Sequence, residues 1–319
     1  MTKQRIDTFD IARAICILLV VIGHFNPDNA PVWWKNINAC IYSFHMPMFL
    51  FISGFIYSYR NKQSSYLSFI GKKVKRLFVP YLITSFIVIS IKLLTQGNAY
   101  VEHPVTAHTY LEALYLPAAG YYLWFVWALF IMLAVVHIFH SHIAHALLLV
   151  LSVWLYFLPF DFPPTFCLKE FQRHWPYFMC GVVLAEYEIR KVLHTKWFWC
   201  ASIIGYAALY YFLNPTGHTQ YFIIAIVGIG MVNSVSCILN PLTWAKQRIF
   251  LPISMASFTI YLYHTTFSGF AKAALIKSPM LDEWFIAKAL IVILCGVIFP
   301  LIMYRAVKKV PILKWAIGE

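Results

Sequence analysis

The sequence predicts an all-α membrane protein with about ten transmembrane helices and with both termini on the cytoplasmic side. Hydrophobic residues make up 61% of the 319 residues and charged residues only 12%, and the mean hydropathy is +0.71. A typical soluble domain is about half apolar and about a quarter charged. Apolar stretches near the ~20 residues needed to cross a bilayer also recur along the chain. They cover residues 9–25, 37–59, 77–95, 121–139, 143–159, 171–189, 197–213, 220–239, 249–271 and 284–306.

The positive charges predict the orientation of these spans. With the N-terminus inside the cell, 18 of the 25 Lys and Arg residues fall on the cytoplasmic side and 7 on the other side. This distribution follows the positive-inside rule. The net charge of +13 is then explained by topology and by attraction to anionic lipid or an anionic cytoplasmic ligand, without a nucleic acid partner.

The chain is expected to form one transmembrane domain over residues 1–319, with no soluble domain appended. Loops are short, and the two longest are an inner loop at 60–76 and an outer loop at about 96–120. The first span resembles a signal peptide, but charges interrupt it, so we interpret it as a retained helix. The seven cysteines contain no C-x-x-C pair and are interpreted as small apolar residues. Cys40 and Cys167, both near the outer face, are the one pair that we consider for a disulfide.

Asp10, Arg13 and His24 lie in the first span, where apolar residues are expected. Arg13 and His24 are eleven residues apart, which at about 100° and 1.5 Å per residue puts them on one helix face, roughly 16 Å apart along the axis. Ionisable groups inside a membrane are costly and face a cavity or a partner. This face is therefore predicted to line a reaction chamber, and Asp10 to pair with Arg13 at i, i+3 spacing.

The second span is unusually polar for a membrane helix. It contains Tyr42, Ser43 and His45, and Pro47 is expected to break the helix and to free a backbone carbonyl. A polar, broken helix usually lines a cavity.

The ninth span brings Tyr261 and His264, together with serines that are also typical of contacts between helices. His24, His45 and His264 all come out roughly 20 Å above the cytoplasmic face of a ~30 Å core, since each helical residue rises about 1.5 Å. The three imidazoles are therefore predicted to form one layer.

A basic cluster precedes the third span, in the run GKKVKRLFVPYL. It contains Lys72, Lys73, Lys75 and Arg76 within five positions, with Pro80 expected near the start of the helix. Such a cluster can bind phosphate groups, and it is equally typical of lipid anchoring beside a membrane. The run HIFHSHIAH at 137–145 has the composition of a metal site, but no acidic or thiol ligand accompanies it in sequence, and no metal is expected.

Six segments, in this order and spacing, resemble the membrane acyltransferase-3 family, in the branch of sugar O-acetylases such as fucose O-acetylase-like proteins. The resemblance runs over essentially the whole chain. The segments are Asp10-x-x-Arg13, the spacing of Arg13 to His24, FHMPMFLFISGF at 44–55, KVKRLFVPY at 73–81, YLWFVWALF at 122–130 and SFTIYLYH at 257–264.

The resemblance implies an enzyme of the bacterial cytoplasmic membrane that takes an acyl group, most often acetyl from acetyl-CoA, on the cytoplasmic side. The group goes to a hydroxyl of a glycan or small acceptor, usually outside. The family's Arg-x10-His motif falls on Arg13 and His24, and its basic pair at the donor entrance falls on Lys73 and Arg76. Lys73 departs from the family's Arg and lacks the bidentate geometry of a guanidinium. Tyr122 stands where many relatives have a histidine.

The chemistry assigns further roles. An alcohol needs a base to become a nucleophile at neutral pH, and imidazole, with an unperturbed pKa near 6.5, suits that role in His24. Arg13 stays protonated, so we expect it to hold CoA together with Lys72, Lys73 and Arg76. The substrate-binding side chains are expected to come from the second and ninth spans. They are Tyr42, Ser43, His45, Tyr261 and His264. Direct transfer and a relay through an acylated His24, Ser43 or Tyr42 both stay open.

Two other classes of protein are considered. A polytopic transporter or flippase for glycans or lipid-linked precursors would also need polar tracks through its helices, although no inverted repeat is visible in the sequence. A sensory or assembly protein without catalysis gives no reason for Arg13 and His24 inside a span.

Overall fold

The computed structural model describes residues 6–60, 65–97, 103–187, 193–213, 217–276 and 284–318. Within these ranges the regular secondary structure is entirely helical, which confirms the predicted class. Six of the charges counted for the orientation lie outside the described residues. They are Lys3, Arg5, Lys62, Arg190, Lys191 and Lys277.

The main helices follow one another with short connections. They are α1 (Asp7–Gly23), α2 (Val32–Tyr42), α3 (His45–Tyr59), α4 (Tyr66–Thr95), α5 (Thr109–Glu112), α6 (Trp124–Val136), α7 (His142–Tyr156), α8 (Leu168–Glu186), α9 (Lys196–Leu213), α10 (His218–Leu239), α11 (Leu251–Ile276) and α12 (Phe285–Val307). A 3₁₀ turn at Tyr121–Leu123 leads into α6, and a 3₁₀ segment at Pro311–Ile317 follows α12.

Several of these helices suit a bilayer. By length and apolar composition, four helical stretches in the described part of the chain are candidate membrane spans: Val32–Tyr59, Tyr66–Thr95, His218–Leu239 and Phe285–Val307. Shorter apolar helices occur at Tyr121–Val136 and His142–Tyr156. The outer surface of α12 carries a stripe of exposed aliphatic side chains at four-residue spacing, which is the arrangement expected of a lipid-facing helix. The stripe consists of Ile286, Leu290, Leu294, Ile298 and Ile302.

Helix α1 lies at the centre of the fold, where it contacts α3, α10, α11 and α12. Its apolar side chains Ile11, Ala14 and Ile17 have no exposed surface. Because α1 is enclosed by other helices, its polar residues face protein rather than lipid. This is the placement expected for ionisable groups inside a membrane.

Helices α3 and α8 cross at unusually close range because each has a glycine at the crossing. A Cβ atom added at Gly54 would lie 2.0 Å from the carbonyl oxygen of Phe178, and one added at Gly181 would lie 2.0 Å from that of Phe51. Small residues at such crossings let two helix backbones touch. The contact fixes the position of α8 relative to the start of α3.

The predicted second span is two helices rather than one. Helix α2 ends at Tyr42, the backbone leaves the helical conformation at Phe44, and α3 begins at His45. Pro47 has no N–H to offer the carbonyl of Ser43, four residues earlier, so the predicted break is confirmed and lies at Ser43–Phe44.

The predicted inner loop at 60–76 is too long, because helix α4 already begins at Tyr66. Pro80 lies in the first turn of the α-helical segment Val79–Thr95, the last part of this helix, as the sequence predicted. A π-helical turn at Val74–Phe78 precedes the proline, and a second one at Lys246–Phe250 precedes Pro252 at the start of α11. Cys40 and Cys167 are both free, so the disulfide considered from the sequence is not formed.

Candidate functional site

The three histidines of the predicted layer come together at the upper end of α1. The rings of His24 and His264 are in edge contact with their centroids 4.8 Å apart. Tyr42 links His24 to His45, with centroid distances of 6.3 Å and 5.0 Å to the two rings. His45 and His264 are buried, whereas His24 is half-buried.

The three imidazoles share one hydrogen-bonding pattern, which fixes their tautomers. In each of them Nδ1 lies within hydrogen-bond distance of the carbonyl oxygen four residues earlier: 2.8 Å from His24 to Val20, 2.8 Å from His45 to Ile41 and 3.0 Å from His264 to Ile260. A carbonyl only accepts, so Nδ1 carries the proton and Nε2 offers a lone pair in each neutral ring. The layer thus contains three potential proton acceptors.

The Nε2 atom of His264 is buried and has no hydrogen-bond partner among the described residues. A buried polar atom without a partner is costly, and such atoms concentrate at sites that bind a ligand. This atom lies in the ring that touches His24.

Two tyrosines close the layer on the side of α6 and α11. The ring of Tyr122 lies 6.0 Å from that of His24 and 5.2 Å from that of His264. Its hydroxyl donates to the carbonyl of Leu262 at 3.0 Å, and the hydroxyl of Tyr261 donates to the carbonyl of Tyr122 at 2.5 Å. Both phenol hydroxyls are therefore committed to the backbone.

Ser43 and Tyr42 sit at the break between α2 and α3, with different exposure. The Ser43 hydroxyl is buried, donates to the carbonyl of Cys40 at 2.7 Å and contacts the Tyr206 hydroxyl at 2.8 Å. Tyr42 is 47% exposed. Of Ser43 and Tyr42, which are both predicted to bind substrate, Tyr42 is the accessible one.

The predicted pair at the base of α1 is present. A guanidinium nitrogen of Arg13 lies 3.6 Å from Asp10, whose carboxylate also accepts a hydrogen bond from Ser254 at 2.9 Å. One turn earlier, Lys246 donates to Asp7 at 2.9 Å. These two contacts tie the beginning of α11 to α1. The sequence indicates Ser254 only as one of the serines of the ninth span and gives no signal for Tyr206, because only the tertiary structure shows their partners.

The basic cluster lies on α4, within and just before its π-helical turn. Lys72, Lys75 and Arg76 are exposed, and Lys73 lies over the ring of Phe69 at 5.0 Å. Lys75 also lies 6.0 Å from the ring of Trp315 in the 3₁₀ segment after α12. Three cationic side chains are thus accessible on one face of the protein.

An acidic group accompanies the histidine run at 137–145, contrary to the interpretation from sequence. Glu186, at the end of α8, accepts a hydrogen bond from Nδ1 of His145 at 2.5 Å, and its other carboxylate oxygen lies 3.1 Å from Nδ1 of His142. His137 pairs instead with the Tyr57 hydroxyl at 3.0 Å. Among the described residues no group of three or more His, Cys, Asp or Glu side chains has the geometry of a metal site.

The comparison with protein families decides what kind of protein carries this site. The family model described as "Acyltransferase domain", of the acyltransferase-3 family, matches residues 6–305. The chain belongs to the membrane acyltransferase-3 family. The family inferred from the six sequence segments is thereby confirmed.

Two curated relatives share parts of the chain. Nodulation protein NolL from Mesorhizobium japonicum is 26% identical over 230 residues, which cover 67% of this chain and 57% of the relative. Nodulation protein NolL from Sinorhizobium fredii is 34% identical over 98 residues, which cover 28% of this chain and 26% of the relative. The chain therefore matches less than two thirds of either relative's length. No solved structure matches it significantly.

Proposed function

We propose that the protein is an integral membrane O-acyltransferase that moves an acetyl group from cytoplasmic acetyl-CoA to a hydroxyl group of a cell-envelope or exported glycan. The observation that carries this proposal is the half-buried His24, whose Nδ1 donates to the carbonyl of Val20, so that its Nε2 holds the lone pair that a general base needs. Family membership supports the acyltransferase chemistry. The donor, the acceptor and the role of each residue are part of the proposal.

The proposed reaction is a direct transfer. The acceptor hydroxyl oxygen attacks the thioester carbonyl carbon while Nε2 of His24 takes the hydroxyl proton. The bond from carbon to sulfur then breaks, and the CoA thiolate leaves and recovers the proton from the imidazolium. The lone pair of His264 accepts a hydrogen bond from a second hydroxyl of the acceptor. The hydroxyls of Tyr122 and Tyr261 already donate their protons to carbonyls, so neither phenol donates to the acceptor.

The proposed donor site is cationic. Lys72, Lys73 and Arg76, together with Arg13 oriented by Asp10, hold the phosphates of CoA. The axial rise from Arg13 to His24 is about 16 Å, which is near the length of a pantetheine arm. A thioester can therefore reach His24 while the phosphates stay near the cationic side chains.

The proposed topology has ten spans in the bacterial cytoplasmic membrane, with both termini in the cytoplasm. Shorter helices such as α1, α6 and α7 then count as spans besides the four long apolar ones. The positive-inside distribution of Lys and Arg supports this orientation. It places the basic cluster of α4 on the side that holds acetyl-CoA and the histidine layer nearer the outer face.

The test of this proposal is the transfer of isotopically labelled acetyl groups. The purified protein in nanodiscs is incubated with labelled acetyl-CoA and a crude envelope glycan extract, and label is followed in the glycan fraction by mass spectrometry. Ester-linked label is expected with the wild type and with His108→Ala, an exposed histidine far from the layer. If no label is transferred and unmodified glycan crosses the membrane of proteoliposomes in the absence of acetyl-CoA, the protein is a transporter instead.

The donor site has its own test. Arg76→Gln is expected to weaken CoA binding, measured by calorimetry in nanodiscs, by roughly 10-fold, since a hydrogen bond to a charged group contributes about 1.5–3 kcal/mol. Arg305→Gln, at the end of α12, is the matched control and is expected to bind CoA as the wild type does. Equal CoA affinity in all three proteins would contradict the assignment of the basic cluster to the donor.

A further inference from the structure

A second group of side chains, beside the histidine layer, is absent from the site predicted by the sequence. It consists of Tyr121 and Trp124, at the start of α6, and Glu170 and His174, near the start of α8. The Tyr121 hydroxyl donates to Oε1 of Glu170. The rings of Trp124 and His174 lie 4.6 Å apart at 33° to each other. We call these four residues the outer subsite.

The four residues face one another because of helical spacing. Tyr121 and Trp124 are three residues apart across a 3₁₀ turn, where side chains at i and i+3 eclipse. Glu170 and His174 are four residues apart on an α-helix and share a face. Tyr121 therefore faces Glu170 and Trp124 faces His174, so each of the two contacts joins an aromatic ring of α6 to a polar side chain of α8.

Glu170 has an unusual environment for a carboxylate. It is only 6% exposed, and none of the described Lys or Arg side chains forms an ion pair with it. A carboxylate has about four lone-pair sites, of which Tyr121 uses one. The burial of an anion is costly unless hydrogen-bond donors surround it. The remaining lone pairs suit a ligand that brings several hydroxyl groups.

His174 offers a further acceptor beside this carboxylate. Its Nδ1 donates to the carbonyl of Glu170 at 2.9 Å, so its Nε2 carries a lone pair, as in the three histidines of the layer. The Tyr121 ring is 64% exposed although its hydroxyl is bound to a buried group. An exposed aromatic face thus lies next to two hydrogen-bond acceptors.

The outer subsite is continuous with the proposed reaction centre. Tyr121 is adjacent in sequence to Tyr122, whose ring contacts both His24 and His264. A ligand that spans a few ångströms beyond the histidine layer would therefore reach Glu170.

We infer that the outer subsite binds a pyranose ring of the acceptor, next to the sugar that is acylated at His24. The apolar face of the ring stacks on Tyr121 and its edge faces Trp124, while its hydroxyl groups donate to Glu170 and to Nε2 of His174. This inference rests on the proposed function. It specifies an acceptor of at least two sugar units rather than a small isolated alcohol.

The kinetic test measures the acceptor and donor dependence separately. Acetyl transfer is followed against increasing envelope glycan extract at saturating acetyl-CoA, for the wild type, Glu170→Gln and Tyr121→Phe. The controls are Glu112→Gln and Tyr115→Phe, because none of the described side-chain hydrogen bonds, ion pairs or ring contacts joins these two residues to the four residues of the subsite. We expect the half-saturating extract concentration to rise roughly 10- to 100-fold in Glu170→Gln, and less in Tyr121→Phe, with the KM for acetyl-CoA unchanged. An unchanged half-saturating concentration in Glu170→Gln would overturn the inference.

A binding test separates this inference from the proposed function. Oligosaccharides released from the extract and labelled with a fluorophore are titrated into nanodiscs, which requires no turnover. Binding by the wild type and its loss in Glu170→Gln support the subsite even if no acetyl transfer occurs. Failure of the wild type to bind the oligosaccharides would overturn the inference. If Glu170→Gln and Tyr121→Phe both lower the unfolding temperature enough to explain their loss of binding, Glu170 and Tyr121 only hold α6 and α8 together.

Discussion

The close crossing of α3 and α8 gives a direct test of the fold, through the substitution Gly181→Ala. The added Cβ would lie 2.0 Å from the carbonyl oxygen of Phe51 and 2.8 Å from the nitrogen of Phe55. An ordinary contact begins at 3.4 Å, so the two helices must separate locally by 3.4 − 2.0 = 1.4 Å. Because both obstructing atoms are backbone atoms, no rotamer change relieves the clash.

The expected cost follows from this displacement. Overpacking costs about 1–3 kcal/mol, and the upper end applies where the neighbour is backbone. The separation also weakens contacts around the crossing, since a gap of about 1 Å forfeits up to half of a contact's attraction. Alanine recovers about 1 kcal/mol of helix propensity relative to glycine. The net loss is about 2 kcal/mol, or a decrease of about 3 °C in Tm, since the unfolding entropy is about 2.1 cal/mol/K per residue and the chain has 319 residues.

The measurement is thermal unfolding in nanodiscs, followed with a thiol-reactive fluorophore. Cys16, Cys167 and Cys237 are buried and free, so they report loss of structure. Gly269→Ala is the matched control, because Gly269 lies within α11 with nothing within 4 Å of an added Cβ. Its Tm is expected to stay the same or to rise. A Tm for Gly181→Ala equal to that of Gly269→Ala would refute the described crossing.

Two further predictions concern charged groups. Asp10→Asn is expected to raise the KM for acetyl-CoA about 10-fold, because a neutral amide orients Arg13 less firmly while Ser254 keeps an acceptor. Steady-state kinetics at several acetyl-CoA concentrations measure this KM. An unchanged KM would contradict the role of the pair Asp10–Arg13. Hydrogen bonds from Lys169 and Arg173 lower the pKa of Asp161, so the stability that Asp161 contributes is present above about pH 4 and is lost as the pH falls further. Asp161→Asn should therefore make Tm slightly less dependent on pH below about 4; the effect is small because Asp161 is exposed. Identical profiles of Tm against pH for the wild type and Asp161→Asn would contradict the pairing of Asp161 with Lys169 and Arg173.

The features that were predictable from the sequence depend on helical periodicity. Spacing along α1 places Asp10 beside Arg13 and sets the depth of His24, and both follow from about 3.6 residues per turn. The convergence of His24, His45 and His264 follows from their similar depth in the membrane, because the depth of a residue in any span is counted from the same bilayer surface. Pro47 marks the break before α3 for a local reason, the missing N–H.

Other features depend on which helices are neighbours, and a single sequence does not contain that information. Glu186 lies 41 residues from His145, and Glu170 lies 49 residues from Tyr121. Gly54 and Gly181 show no signal of a crossing until α3 and α8 are placed side by side. The π-helical turns before Pro80 and Pro252 extend α4 and α11 in a region where a basic sequence indicates a loop.

The role of His24 as the base is tested most directly by the rate of CoA release in a single turnover. Wild type and His24→Ala are mixed with saturating acetyl-CoA and envelope glycan extract, and CoA binding is measured on the same preparations. Removal of a general base is expected to slow release by about 10²–10⁴-fold while the Kd for acetyl-CoA stays the same. Equal release rates in the two proteins would contradict the assignment of His24 as the base.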